Sequence, residues 1–153
     1  MNTKHIISLL IMSFVCATIS FAQEENGYVK VEGKKTVYYN QAGKIVCYDK
    51  YDEKRGATIH YDATNKEIGY AKVDKRTHKT INYDKSGGVI NYTKIKDRKT
   101  YRYDRDDNCL GYYKTDTRAK KTIYYNCDNV EQAYSKAKNG KTILYGEFPY
   151  IGW

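Results

Sequence analysis

Histidines, cysteines and clustered acids are the residues from which catalysis or metal binding would be built, and this chain offers few of them. Beyond residue 22 there are two histidines, His60 in an alternating stretch and His78 in a polar turn. Neither belongs to a CxxC, HExxH or Cys/His cluster, so no zinc site is expected. Asp104, Asp106 and Asp107 have the look of a calcium loop but lack its remaining ligands and closing Glu. Gly87-Gly88 is followed by no helix and so is read as a turn, not a phosphate cradle. With no acid/base pair or activated nucleophile, the expectation is a protein that is not an enzyme and takes no cofactor or metal.

The chemistry that the composition does favour is binding. The chain has 18 Tyr. Flat phenol faces stack on sugar rings, and Lys50, Lys72, Lys94, Lys114 and Lys136 recur two residues after a periodic Tyr, a row suited to anionic polymers. Most periodic Tyr share a strand face with aliphatic residues and are expected in the core. The ligand-contact candidates are therefore on the opposite face: Tyr38, Arg102, Tyr113 and Tyr124. Lys near strand ends also discourages edge-to-edge aggregation without any ligand.

These residues are carried by a repeat. A Thr is followed three residues later by Tyr, and a second Tyr comes nine residues after the first: Tyr39/Tyr48, Tyr61/Tyr70, Tyr83/Tyr92, Tyr103/Tyr112 and Tyr125/Tyr134. A truncated sixth copy begins at Thr142 and Tyr145. The Thr positions 36, 58, 80, 100, 122 and 142 are spaced by 22, 22, 20, 22 and 20 residues, the signature of stacked units. Within a unit the apolar period is two, as in Thr80-Ile81-Asn82-Tyr83, which indicates half-buried strands. Turns such as Asp84-Lys85-Ser86-Gly87 open on Asp or Asn and close on a residue that accepts positive φ. No stretch has helical spacing.

The fold class expected is all-β: about six β-hairpin units of 20–22 residues over residues 34–146, some twelve short strands in a meander. One apolar face must be covered, so the single-layer sheet should coil into a solenoid, an open superhelix or a narrow barrel with its Ile/Tyr face inward. Residues 23–33 are expected as a polar lead-in, with one possible edge strand at Tyr28-Val29-Lys30-Val31. Residues 147–153 form an apolar tail, in which Phe148-Pro149-Tyr150-Ile151-Gly152-Trp153 is suited to plug one end.

Residues 1–22 have the pattern of a secretory signal peptide: Lys4 and His5, an apolar run from Ile6 to Ile19, and Ser20-Phe21-Ala22 before the cut. The expected location is secreted, periplasmic or at the cell surface, with no transmembrane segment in the mature chain. Removing Lys4 with the leader leaves 26 Lys and Arg against 18 Asp and Glu, a net charge of +8. Such basicity suits nucleic acid, but export argues against that partner. Cys47, Cys109 and Cys127 remain in an oxidising location. Folding back about Arg118 sets Cys109 opposite Cys127, so these two are the candidate disulfide and Cys47 the odd thiol.

Tyr61-Asp62, Tyr83-Asp84-Lys85-Ser86-Gly87, Tyr103-Asp104 and Tyr39-Asn40-Gln41-Ala42-Gly43 resemble the YD repeat of the RHS family, roughly Thr-x-x-Tyr-Asp-x-x-Gly. MORN-like variant repeats share the paired Tyr and the Gly. The resemblance spans residues about 34 to 146 and implies a β-hairpin array at an exported location. In RHS-type proteins many such repeats make a spiralling shell around a toxin domain; six units leave no room for that cargo. The chain departs from the pattern at Asn65, Asp107 and Asn129, which stand where the family has Gly.

Together these readings predict an exported, non-enzymatic binding or structural module at the cell envelope, for polysaccharide or anionic envelope polymers. The alternative is a secreted effector or inhibitor that binds a partner protein through its rigid sheet. Uncovered strand edges in an open array would also leave self-assembly open.

Overall fold

The structure, a computed structural model, describes residues 24–147. The expected signal peptide and the apolar plug at 148–153 lie outside the described residues. Twelve antiparallel strands run in chain order: β1 (Glu25–Glu32), β2 (Lys35–Asn40), β3 (Ile45–Asp52), β4 (Ala57–Asp62), β5 (Glu67–Asp74), β6 (Lys79–Asp84), β7 (Val89–Lys96), β8 (Lys99–Asp104), β9 (Cys109–Asp116), β10 (Lys121–Tyr125), β11 (Glu131–Lys138) and β12 (Lys141–Gly146). Each pairs with its neighbours in sequence, and β1 pairs with β12, so the sheet is a closed barrel. Of the shapes left open by the sequence, the narrow barrel is the one formed. Closure removes the edges that an open meander would expose. Among the described strands no edge is left open for the edge-to-edge joining that the sequence left possible.

The supposed lead-in is therefore a full barrel strand, and it completes the truncated sixth unit. Elsewhere the Ile of a unit lies opposite its second Tyr, as in Ile59↔Tyr70 and Ile123↔Tyr134. Across the closure Ile143 lies opposite Tyr28 in the same register. The uneven 20- and 22-residue spacing has a local cause. Residues 97–98 and 139–140 are two-residue loops, whereas 53–56, 75–78 and 117–120 are four-residue loops. The short ones have positive φ at both central residues, Asp97 and Arg98 or Asn139 and Gly140, the conformation that matches strand twist in tight hairpins.

The turns within units share one geometry. Asn40, Asp62, Asp84, Asp104 and Asn126 each accept a backbone N–H four residues on through a side-chain oxygen. Gly43, Asn65, Gly87, Asp107 and Asn129 all occupy the left-handed region, with φ between 65° and 90°. Asn and Asp tolerate that region better than other non-Gly residues, so they replace Gly there. At three of these positions the side chain has acquired a use: Asn65, Asp107 and Asn129 accept hydrogen bonds from the hydroxyls of Tyr48, Tyr92 and Tyr112. The Asp104 cluster is turn chemistry of this kind. Its carboxylate is held below the ordinary range chiefly by the side-chain and backbone donors of Asn108.

The inside-to-outside assignment made from the sequence is reversed. Tyr38, His60, Asn82, Arg102, Tyr124 and Leu144 line the lumen, and the Ile/Tyr face is the outer wall. On that wall the Tyr form six stacked pairs across directly opposed positions, with ring centroids 4.6–5.2 Å apart: Tyr28/Tyr39, Tyr48/Tyr61, Tyr70/Tyr83, Tyr92/Tyr103, Tyr112/Tyr125 and Tyr134/Tyr145. Cations lie over at least one ring of every pair: Lys141, Lys35, Lys79, Lys99 and Lys121 over Tyr28, Tyr48, Tyr92, Tyr112 and Tyr134, and Arg55 over Tyr70. Stacking and cation–π contact are each worth about 0.5–1.5 kcal/mol. Repeated six times, they shield the outward aliphatics, so that Ile59 is fully buried opposite Tyr70 and Lys50.

Each within-unit pairing carries a β-bulge, and a sixth irregularity falls at Glu25/Gly27 in the closure. Bulges sharpen twist, which a narrow barrel needs. Gly111 follows one of them, with φ 128°, where a Cβ would fall 2.4 Å from the Tyr125 carbonyl oxygen. Gly111→Ala should therefore cost more than about 3 kcal/mol in urea unfolding, whereas Gly33→Ala, with nothing within 4 Å of its Cβ position, should cost about 1. Equal costs would overturn this account of the close approach. Cys109 and Cys127 form a disulfide, with Cα atoms 6.2 Å apart and 18 residues between them in sequence. Replacing both by Ser should remove about 3 kcal/mol and lower Tm by about 10 °C in calorimetry.

Candidate ligand-binding lumen

Alternation along every strand builds the lumen in rings of six. One ring is the repeat Thr itself: Thr36, Thr58, Thr80, Thr100, Thr122 and Thr142. The ring at mid-height holds the large side chains, Tyr38, His60, Asn82, Arg102, Tyr124 and Leu144. Their cross-strand neighbours are often small. His60 faces Gly69, Arg102 faces Gly111 and Leu144 faces Gly27, which leaves room for side chains to extend into the bore. The lumen holds a cavity of about 580 Å³, within the size range of small-ligand sites.

The four contact candidates Tyr38, Arg102, Tyr113 and Tyr124 all line this cavity. Tyr113 and Tyr124 lie opposite each other on β9 and β10, centroids 5.4 Å apart. Arg102 projects from β8 beside them, while Tyr38 comes from β2 on the other side of the bore. The disulfide joins the bulged start of β9 to the turn after β10, and neither cysteine lines the cavity.

A second polar group is adjacent to Tyr38. Its hydroxyl donates to Asp49 Oδ2 at 3.0 Å, and Asp49 Oδ1 lies 2.6 Å from His60 Nδ1. Further round, Asn82 Nδ2 donates to Asn91 Oδ1 at 2.6 Å. The sequence offers no motif partner for His60 and nothing in it singles out Asp49. The register brings them together: Asp49 lies directly opposite His60 and diagonal to Tyr38, whose direct partner is Cys47. His60 is buried, at 4% exposure. Cys47, on the same wall, is a buried free thiol pushed up to about 11, first by burial and then by Asp49, so it is protonated and unreactive at neutral pH. Among the described residues no group of three metal-ligating side chains stands together.

The two mouths differ in charge. The six segments 30–35, 50–57, 72–79, 94–99, 114–121 and 136–141 meet at one mouth and carry 21 Lys and Arg against 6 Asp and Glu. The within-unit turns and both barrel ends, residues 24–26, 40–45, 62–67, 84–89, 104–109, 126–131 and 146–147, form the other mouth with 4 Lys and Arg against 11 Asp and Glu. The modest net charge thus conceals a basic mouth and an acidic one. Neither is visible along the sequence, where the charges interleave.

The class defined by fold and site is a closed, all-β barrel of hairpins with a tyrosine-lined lumen, basic at one mouth and acidic at the other. No family model matches the sequence, and no curated protein matches it. Among solved structures, the crystal structure of a protein from Arabidopsis thaliana is similar, with TM-score 0.59, 11% identity and 81% of each chain covered. At that identity the likeness is one of fold alone.

Tyr38 offers a test of the lumen's environment. Burial first, and then the Asp49 carboxylate, raise its ionisation far above the ordinary tyrosine value. A folded-state pKa above the unfolded one leaves stability intact below about pH 10 and erodes it as pH rises further. Between about pH 9 and pH 11.5 the wild type should lose stability more steeply than Tyr38→Phe when denaturant midpoints are compared. Parallel curves would contradict a buried phenol on Asp49.

Proposed function

We propose that this chain is an exported, non-enzymatic binding module of the cell envelope, and that its ligand site is the barrel lumen. The observation that carries the reading is the convergence of Tyr38, Tyr113, Tyr124 and Arg102 on one cavity in the lumen of a barrel that has one basic mouth. Aromatic faces for sugar rings, one guanidinium for an acidic group and hydroxyls from the Thr ring together suit a short stretch of an anionic polysaccharide. The cationic loops would draw a polyanion to the opening, an effect that fades as salt shortens the Debye length. Because the aromatic candidates are enclosed, the ligand enters as a chain end or oligomer and does not lie along a flat row of rings.

The alternative, a partner protein bound by the rigid wall, draws support from the outer Tyr pairs and their Lys caps. Co-sedimentation of residues 23–153 with washed envelopes and insoluble acidic glycans, followed by calorimetric titration with acidic oligosaccharides, separates the two. Saturable binding to one glycan is expected. Arg102→Lys and Tyr124→Ala should each weaken it about tenfold or more, after thermal melts confirm folding. Glycan binding unchanged in both variants would remove the lumen from consideration. No glycan binding, with one stoichiometric protein captured, would favour the partner-protein reading.

A further inference from the structure

Anion attraction accounts for the cations at the basic mouth but not for the apolar residues there. Val31, Tyr51, Val73 and Ile95 occupy the outermost lumen-facing ring on β1, β3, β5 and β7, opposite Thr36, Thr58, Thr80 and Thr100. They are large and wet, with Val31 71%, Val73 63% and Ile95 73% exposed. The remaining exposed large apolar residues among those described lie toward the acidic mouth: Ile45, Val89 and Val130 within its segments, and Ile90 and Leu110 one residue inside, where they line the cavity. Exposed apolar side chains are thus confined to the two ends, each within charge of opposite sign. A polyanionic sugar has no use for either apolar rim.

We propose that the barrels stack coaxially, the basic mouth of one copy on the acidic mouth of the next. The partner surface is the molecule's own other end, complementary in charge and matched in apolar content. The outer wall offers no comparable contact. Next to the basic mouth, among whose cations they were counted, it carries Lys30, Lys50, Lys72, Lys94, Lys114 and Lys136 on alternate strands, so two walls repel at that end, and no edge is left open among the described strands. Mouth-to-mouth contact is heterologous and does not close on itself, so the product is a linear stack of indefinite length. Charge sets its direction and register, and burying both apolar rims supplies the cohesion. The idea is independent of the sugar-binding reading, and its test contains no glycan.

Sedimentation velocity of residues 23–153 over a concentration series is the measurement, at roughly 20 mM and roughly 500 mM salt, where screening lengths differ several-fold. Elongated oligomers that grow with concentration at low salt and dissociate at high salt are expected. Two charge-reversed variants follow: Lys75→Glu/Arg76→Glu/Arg98→Glu at the basic mouth and Asp106→Lys/Asp128→Lys/Glu131→Lys at the acidic mouth. Each alone should associate at least tenfold more weakly than wild type. Mixed in equal amounts they should associate again, because each brings one native mouth and one reversed mouth that suits its partner. A wild type that stays monomeric at both salts up to about 1 mM overturns the proposal, that being the range of the weakest specific contacts. So do variants that still associate alone, or a mixture that does not.

Discussion

Ring closure is the constraint on which the rest depends. A hairpin unit of this kind cannot cover its own sheet face, and an open array of six would end in two bare edges. The pairing of β12 with β1 resolves both problems in one contact, and it does so in the register used by the other units, with Tyr28 opposite Ile143. The enclosed cavity and the segregation of charge between two ends follow from it, because a mouth exists only once the sheet has closed.

The hairpins, the turn chemistry and the strand count were legible in the sequence, because they depend on period and on Asp, Asn and Gly at fixed offsets. The side that faces inward was not. Alternating Ile and Tyr ordinarily marks a core, and in a two-layer protein that inference would hold. Here the inner face is a bore too wide to be filled by twelve strands' worth of side chains, so it carries Thr, Asn and a few aromatics. The outer wall protects its aliphatics by another route. Residues Lys35, Lys79, Lys99, Lys121 and Lys141, each one step before a repeat Thr, cover Tyr rings of the neighbouring strand. That Lys-Thr pair was visible in the sequence, but its meaning required knowing which rings lie beside it.

The candidate site was partly legible for a related reason. Tyr38, Arg102, Tyr113 and Tyr124 stood out because they are large and lie on the face without aliphatics, and that face is the lumen. Asp49 escaped notice, and His60 was left without a partner, because each looks ordinary within its own strand. Their importance comes from lateral contact across β2, β3 and β4, where Tyr38 and His60 both lean on one carboxylate. Likewise the charge of each mouth sums contributions from loops some twenty residues apart, so a running window along the chain averages it away.

The split sixth unit also sets how this architecture can vary. A barrel whose strands alternate in direction closes only with an even number of them, and each repeat contributes two. Loss or gain of a repeat therefore changes the bore by a whole hairpin at a time, while the Tyr pairs, the bulges and the Thr ring stay as they are. Lumen width is then a stepped quantity, chosen by copy number, and the residues at mid-height are left to decide what a bore of that width accepts.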